Sequence, residues 1–465
     1  MGAKTRVLLL HVPYGDLYGG VNIRKLGFGV PPLGLIALSA YLRKHAACQV
    51  RLIDMLYHGI AIKDIPGVLD DFKPQIVGLS SSTPQMDNAC WLSRLIKKCH
   101  PGIKVVIGGP HVSALPQSTL QEEASIDYVI AGEGEIPLLS LVQGHPDESI
   151  KSLIWRRNGE IIVNNREALI EDLGSLPFPD YESLPLDCYG TAYTGRSVSI
   201  ISGRGCSCHC SFCASGITHL GRYRVRPVEI FLDDLQRLIQ LGAPRFDIWD
   251  DTFTSLEARV GEFTDGYLRR GLKARWSCST RADCLNKKLL KKMKSAGLEM
   301  LHIGCESGNQ AILNKTEKGI KLEQVKQACY WCQEEKISTY VYFVLGLPYD
   351  TKETIKETIA FARLLPIDFA QFSMLVPLPG TGVWQLAQEG KVLKNLAKRW
   401  SDYDRYGKAI VESEAVSARQ LTRLYKHALA SFYGRIAYLW KTLKKIDSLE
   451  KLKVYLRIIK AYFRL

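Results

Sequence analysis

Short uninterrupted apolar runs alternate with longer segments whose apolar residues recur three or four apart. Arg6–Val12, Val50–Asp54, Ile76–Ser80, Val105–Gly108 and Tyr128–Ala131 are apolar stretches of strand length. Between them, Pro32–Lys44 and Trp91–Lys98 read as helices; the first carries Leu33, Ile36, Ala37, Ala40 and Tyr41 on one stripe. Strands apolar along their whole length, alternating with helices, predict a parallel sheet covered on both faces. A second alternating stretch has strand signals at Ser197–Ser202, Phe246–Asp250, Arg275–Ser279, Met300–Gly304, Thr339–Leu345 and Phe369–Val376. Helical segments such as Pro227–Leu241 and Lys287–Ala296 separate them. Repeated strand–helix units of this kind predict a barrel or part-barrel with its site at the strand C-termini. Between the two regions, Asn158-Gly159 marks a hairpin of Ile154–Asn158 and Glu160–Asn164. Leu176-Pro177-Phe178-Pro179-Asp180 reads as a stiff linker. The expected organisation is an α/β domain over 1–145, a connector over 146–195, a second α/β domain over 196–400 and a helical region over 401–465.

Composition narrows the class. The 465 residues are 46% hydrophobic and 23% charged, ordinary for a globular chain and unlike a disordered or collagen-like one. No apolar run is long enough for a transmembrane helix, and Val7–Val12 is too short for a secretory segment. The expectation is a cytoplasmic protein. Thirteen cysteines in such a chain read as metal or redox groups rather than as a disulfide scaffold. The net charge of +14 is concentrated at one end, because Arg419 to Leu465 carries twelve Lys/Arg against Asp447 and Glu450.

The strand ends carry small residues. Ser80-Ser81-Ser82-Thr83-Pro84 follows the third strand, Gly108-Gly109-Pro110-His111 the fourth, and Gly132-Glu133-Gly134-Glu135 the fifth. Such loops either make tight turns or let backbone approach a large ligand at the carboxyl end of the sheet. The sharpest signal is Gly205-Cys206-Ser207-Cys208-His209-Cys210-Ser211-Phe212-Cys213, which holds Cys206-x3-Cys210-x2-Cys213 just after the first strand of the second region. Three thiolates can hold three corners of an iron–sulfur cube and leave one iron open. The alternative is a zinc site, for which Cys329-Tyr330-Trp331-Cys332 is the only other close pair, on an expected helix. Cys208 reads as a bystander.

Cys206-x3-Cys210-x2-Cys213 with Phe212 resembles the signature of the radical S-adenosylmethionine enzymes. Asp250-Asp251-Thr252-Phe253-Thr254, Arg281-Ala282-Asp283, Gly304-Cys305-Glu306-Ser307-Gly308, Leu345-Gly346-Leu347-Pro348 and Pro377-Leu378-Pro379-Gly380-Thr381 resemble that family's later barrel motifs, in order. The first region resembles the cobalamin-binding domain fused ahead of many such enzymes, through Pro31-Pro32-Leu33-Gly34 and the glycine loops. The chain lacks the Asp-x-His-x-x-Gly of histidine-ligated cobalamin proteins; Asp54-Met55-Leu56-Tyr57-His58-Gly59 has Leu56 in the ligand slot.

The resemblance implies a Rossmann-like cobalamin-binding domain, a partial (β/α)6 barrel and a helical basic C-terminal tail. It implies a 4Fe-4S cluster on Cys206, Cys210 and Cys213, S-adenosylmethionine on its open iron, a 5′-deoxyadenosyl radical, and cobalamin. Phe212, Asp251, Arg281, Glu306, Ser307 and Gly346 are the implied S-adenosylmethionine residues. Asp251 would face the ammonium, Arg281 a carboxylate, and Glu306 with Ser307 the ribose. Ser81, Thr83, Gly108, Gly109, His111, Gly132 and Glu133 are the implied cobalamin residues. The structural alternatives are Asp250 or Asp251 as a helix cap and Arg281 with Glu306 as a barrel ion pair.

The implied reaction is methylation of an unactivated carbon in a hydrophobic or lipid-like small molecule, with an electron donor such as flavodoxin or ferredoxin. Oxidative cyclisation or ring rearrangement with the same cofactors is the alternative. A nucleic-acid methylthiotransferase would need a second cysteine trio, and Cys48, Cys90 and Cys99 are scattered. The tail interleaves Lys/Arg with aromatics and carries Leu449, Leu452, Leu456 and Ile459 on one stripe. Such a helix suits the inner membrane face, a phosphate backbone, or packing on the barrel.

Overall fold

The structure is a computed structural model and describes residues 4–14, 29–191, 195–436 and 438. Strands β1 (Thr5–His11), β2 (Cys48–Asp54), β3 (Ile76–Ser80), β4 (Lys104–Gly108) and β5 (Tyr128–Ile130) pair in parallel in the order β2-β1-β3-β4-β5. This is the doubly wound order whose switch point lies between β1 and β3. Alternate side chains of β1 enter different cores: Val7 and Leu9 face one, Leu8 and Leu10 the other. Helices α1 (Leu33–His45) and α4 (Glu135–Val142) cover the first face; α2 (Ile65–Phe72) and α3 (Met86–Cys99) cover the second. Each fully buried Leu or Ile contributes about 1.5–3 kcal/mol. Helix α1 ends on Arg43, Lys44 and His45, cations that suit the negative end of its dipole.

The segment read as a connector begins instead as part of this sheet. Strands β6 (Leu153–Arg157) and β7 (Glu160–Val163) add antiparallel to β5, so the first layer runs past residue 145. The hairpin turns at Asn158 (φ 52°) and Gly159 (φ 88°), the left-handed pair a two-residue turn needs. The physical reason is the edge of β5, whose ladder groups would otherwise lie unpaired.

Strands β8 (Val198–Ile200), β9 (Arg245–Ile248), β10 (Arg275–Thr280), β11 (Leu298–Glu306), β12 (Ser338–Leu345) and β13 (Phe369–Met374) form a six-stranded parallel sheet in sequence order. Beginning at β8 and ending at β13 without closure, it is a part-barrel. Helices α5 (Val228–Gln240), α6 (Glu257–Arg269), α7 (Lys287–Ser295), α8 (Leu322–Glu334) and α9 (Lys352–Leu364) follow successive strands. Cys329 and Cys332 are buried on α8, as expected of core residues.

Helix α10 (Ala418–Tyr433) packs the start of the basic tail onto the barrel. It buries Leu421, Tyr425, Ala428, Leu429 and Phe432, and the Tyr433 hydroxyl donates to the Ala370 carbonyl at 2.8 Å. The stripe of Leu449, Leu452, Leu456 and Ile459 lies outside the described residues. Among those described, no helix is long and apolar enough to cross a membrane.

Candidate active site

The carboxyl ends of both sheets face one cavity of about 570 Å³. Leu9, Gly78, Gly108 and α1's Gly34 and Leu38 line it from the first sheet; Ser202, Gly203, Arg204, Ala214, Ser215 and Asp251 line it from the barrel. The volume falls within the usual range of small-molecule and cofactor sites. A Cβ built at Gly34 meets no atom within 4 Å, so this wall opens onto free space. A mostly apolar chamber floored by glycines fits a large, flat cofactor.

Of the implied cobalamin residues, Gly108, Gly109, Gly132 and Glu133 reach this chamber. Gly109 has φ 112°, and a Cβ there would stand 2.5 Å from the Ser81 carbonyl oxygen. Two strand-end loops touch at that point, and only glycine allows it. Ser81, Thr83 and His111 do not line the chamber, which corrects the sequence expectation. His111 is buried with Nδ1 3.2 Å from Thr83 Oγ1, and its ring stands edge-on to Trp400 with centroids 4.6 Å apart. Burial pushes its imidazole down to about 4, so it is a neutral packing residue. Ser81 is fully buried, and its hydroxyl donates to the Ser82 carbonyl at 3.0 Å.

Glu133 is likewise committed elsewhere. Arg204 reaches it at 2.9 Å, Arg224 reaches both of its oxygens at 2.9 Å, and the Ile170 amide donates to it at 2.9 Å. Burial raises its carboxyl, but the two guanidiniums and the amide outweigh this and hold it at about 2. Arg204 also binds Glu135 at 2.5 Å. The loop reads in sequence as a cofactor cradle; its acidic side chains are ion-pair partners.

The cysteine loop hangs from a small antiparallel ribbon, Gly203–Arg204 against Arg224–Val225. Gly205 starts it at φ 84°; a Cβ there would lie 2.1 Å from the Arg222 carbonyl oxygen, so the position requires glycine. Ser211 anchors the middle: its amide donates to the Thr316 carbonyl at 3.1 Å, and its own carbonyl accepts from Val383 at 3.0 Å. Phe212 is half-buried against the core rather than in the chamber. Although Cys213 is exposed, desolvation by the crowded loop lifts its thiol to about 11, with Asp251, Cys210 and Cys206 adding to it. Burial also raises Cys210, against the pull of Lys318 and Arg281. The three thiols therefore share one electrostatic neighbourhood. Among the described residues, no three Cys, His, Asp or Glu converge on a point as they would around one zinc ion. A cube does not ask that of them, since each thiolate takes its own iron. The donor set of three soft sulfurs on one short loop fits a 4Fe-4S cluster. The scattered cysteines are not a second set, since Cys48 packs on one face of the first sheet and Cys90 on the other.

The barrel residues divide. Asp251 lines the chamber and accepts a hydrogen bond from Ser215 Oγ at 2.5 Å. Its neighbour Asp250 is buried, accepting from the Ser202 amide at 2.6 Å and hydroxyl at 2.7 Å. Arg281 has already spent one edge of its fork on Asp283, at 3.0 and 2.9 Å, and turns NH1 toward Cys210 Sγ at 3.9 Å. The edge between its two terminal nitrogens remains for another carboxylate. Glu306 sits on a β-bulge with φ 70°, a strained conformation that re-aims a side chain. It binds Lys318 at 2.8 Å. Arg281 and Glu306 thus have separate partners instead of each other. Nothing in the chain signalled Lys318, a loop lysine buried beside Glu306.

Two expected ligand residues pack against helices. Ser307 is fully buried, with Oγ 3.2 Å from Thr358 Oγ1 on α9. Gly346 lies under α10; a Cβ there would be 2.5 Å from Leu421 Cδ2, and its amide donates to Asp350 at 3.0 Å. It is a packing glycine.

Comparison with known proteins places both halves. Residues 19–142 match the family model of the B12 binding domain, and residues 200–362 match that of the Radical SAM superfamily. An uncharacterised methyltransferase of Pyrococcus horikoshii is 31% identical over 417 residues, spanning 89% of this chain and 90% of its own. The anaerobic magnesium-protoporphyrin IX monomethyl ester cyclase of Rubrivivax gelatinosus is 29% identical, over 82% of this chain and 69% of its own. Among solved structures, the radical S-adenosylmethionine methyltransferase TsrM of Kitasatospora setae superposes with a TM-score of 0.70 at 17% identity, covering 93% of this chain and 89% of that one. The cobalamin-dependent radical enzyme OxsB superposes with a TM-score of 0.75 at 19% identity, covering 99% of this chain and 72% of that one.

Proposed function

Since this chain belongs to the cobalamin-dependent radical S-adenosylmethionine enzymes, we propose that it methylates an unactivated carbon of a hydrophobic, lipid-like small molecule. The observation that carries the reading is the single chamber walled by the carboxyl ends of both sheets. When bound, the cluster, S-adenosylmethionine and cobalamin supply radical formation and a transferable methyl group. The chain's own part is to hold and shield. Cys206, Cys210 and Cys213 hold the cluster. Gly34, Gly78, Gly108 and Gly109 leave the volume for the corrin, and Leu9 and Leu38 keep water from it. Asp251, on the barrel wall, accepts an ammonium group. Glu306, held by Lys318 near Cys210 and Arg281, accepts from the ribose hydroxyls of S-adenosylmethionine. The electron comes from a donor of the flavodoxin or ferredoxin class. The basic tail lets the enzyme work at the inner membrane face, where a lipid-like substrate would be found.

The cyclase among the relatives favours a second reading, oxidative ring formation with the same cofactors. One experiment separates the two. The protein is reconstituted without oxygen, given cobalamin, S-adenosylmethionine and a reductant, and the released nucleosides are identified. Methylation yields 5′-deoxyadenosine together with S-adenosylhomocysteine; cyclisation yields the first alone. Absence of both would reject the radical reading.

A further inference from the structure

We infer that Glu133, on the cobalamin-binding half, is a positioning residue that sets the cysteine loop of the barrel. The inference rests on the cluster assignment above and concerns what holds that loop in place. Arg204 and Arg224 are register partners in the ribbon from which the loop hangs. Everything between them, including Cys206, Cys210 and Cys213, is loop or a short helix. Glu133 Oε1 accepts from both arginines at 2.9 Å, and Oε2 accepts a second bond from Arg224 at 2.9 Å. A single carboxylate from the first sheet therefore ties together both stems of the loop. Arg204 stands two residues before Cys206, and Glu135 holds its other end.

The tie is built to last. Glu133 and Arg224 are almost wholly buried, with side chains 6% and 4% exposed. Removing one member of such a group leaves a buried charge unpaired. The charges are permanent at working pH, because the guanidiniums keep the carboxyl ionised. A second tether runs in parallel: Arg166 donates to the Ile217 and Thr218 carbonyls at 2.9 and 3.1 Å, in the helix that follows Cys213. The segment before β8 thus grips the loop's far side. A shift of about 1 Å in a ligand is enough to spoil a reacting geometry, so a loop lacking a rigid element of its own needs such anchors. The same contacts fix how the two cofactor sites face each other.

The test compares E133Q, R224Q and the double variant as anaerobically reconstituted full-length enzyme. It follows iron content, the electron paramagnetic resonance of the reduced cluster with and without S-adenosylmethionine, and binding of hydroxocobalamin. Each single variant should retain hydroxocobalamin affinity, lose iron to a chelator about tenfold faster, and show an altered cluster signal. The double variant should be no worse than either single one. Amide exchange across residues 203–225 should rise in both, with β9–β13 unchanged. If E133Q weakens hydroxocobalamin binding while the cluster signal stays native, Glu133 is a cofactor contact and the inference falls. It also falls if neither variant disturbs the cluster or the exchange. R224K keeps the charge and restores part of the signal if E133Q does not fold. Wild-type protein without a 4Fe-4S signal would overturn the functional reading instead, and the exchange measurement would still decide the tie.

Discussion

The two halves present opposite materials to the same chamber. The first sheet offers absence: Gly34, Gly78 and Gly108 give space, and its polar loop residues are turned away or already paired. The barrel offers charge: Asp251 on the wall, with Arg281, Glu306 and Lys318 close to the cysteine loop. A large organic cofactor is recognised mainly by shape and apolar contact, so a wall of small residues serves it. A metal cluster and a charged nucleoside need donors fixed in place, which requires buried pairs to hold them. The first half is therefore sensitive to added volume and the second to lost groups.

That contrast can be tested at several strengths. The strongest break is C206A, which should abolish S-adenosylmethionine cleavage and the cluster absorption while hydroxocobalamin still binds. Retained cleavage would show that the cysteines are not the ligands. K318M removes the buried partner of Glu306 at 2.8 Å and should cost about 3–5 kcal/mol in denaturant unfolding. A cost close to that of a surface substitution would place Lys318 outside the supporting shell.

The junction between the halves gives an acid signature. Glu133 titrates at about 2 instead of the ordinary 4.5. Its folded-state pKa is depressed, so its stabilisation is present above the unfolded value and is lost as pH falls through the folded one. Acid titration of wild type should lose on the order of 3 kcal/mol in that interval, and E133Q should lack that component. An identical acid limb in both proteins would contradict the pairing.

G34L fills the chamber from the first half. Overpacking costs about 1–3 kcal/mol, so hydroxocobalamin affinity should drop roughly tenfold to a hundredfold with iron content unchanged. Equal affinity would move the corrin out of this cavity. The smallest effect belongs to S307A. Its hydroxyl meets Thr358 rather than the chamber, so unfolding should cost about 1 kcal/mol with the Michaelis constant for S-adenosylmethionine unchanged. A large rise in that constant would restore the ribose role.

Legibility followed the same division. The strands of both sheets were readable because burial on both faces writes continuous apolar runs such as Ile76–Ser80, found at the expected residues. The cysteine trio was readable because cluster ligation demands a fixed local spacing. The polar residues of the site were readable only by type. Glu306 lies in the expected motif, yet its partner is Lys318, beyond a short helix. His111 and Gly109 are two residues apart, and only Gly109 reaches the chamber, because the turn into the next helix sends neighbouring side chains to different faces. The hairpin of β6 and β7 was recognised from Asn158-Gly159, but nothing local showed that it would join the first sheet.

The chain by itself determined the order of its strands and helices, the two-part α/β architecture and the spacing of the three sulfurs, because each depends on neighbours within a few residues. Only the tertiary structure decided that Glu133 would clasp Arg204 and Arg224, that Ser307 and Gly346 would serve packing, and that both strand-end surfaces would share one chamber. These outcomes depend on which charges and faces meet across large sequence separations. Burial then selects the partner, since an ionised group removed from water must find its opposite wherever the fold brings one.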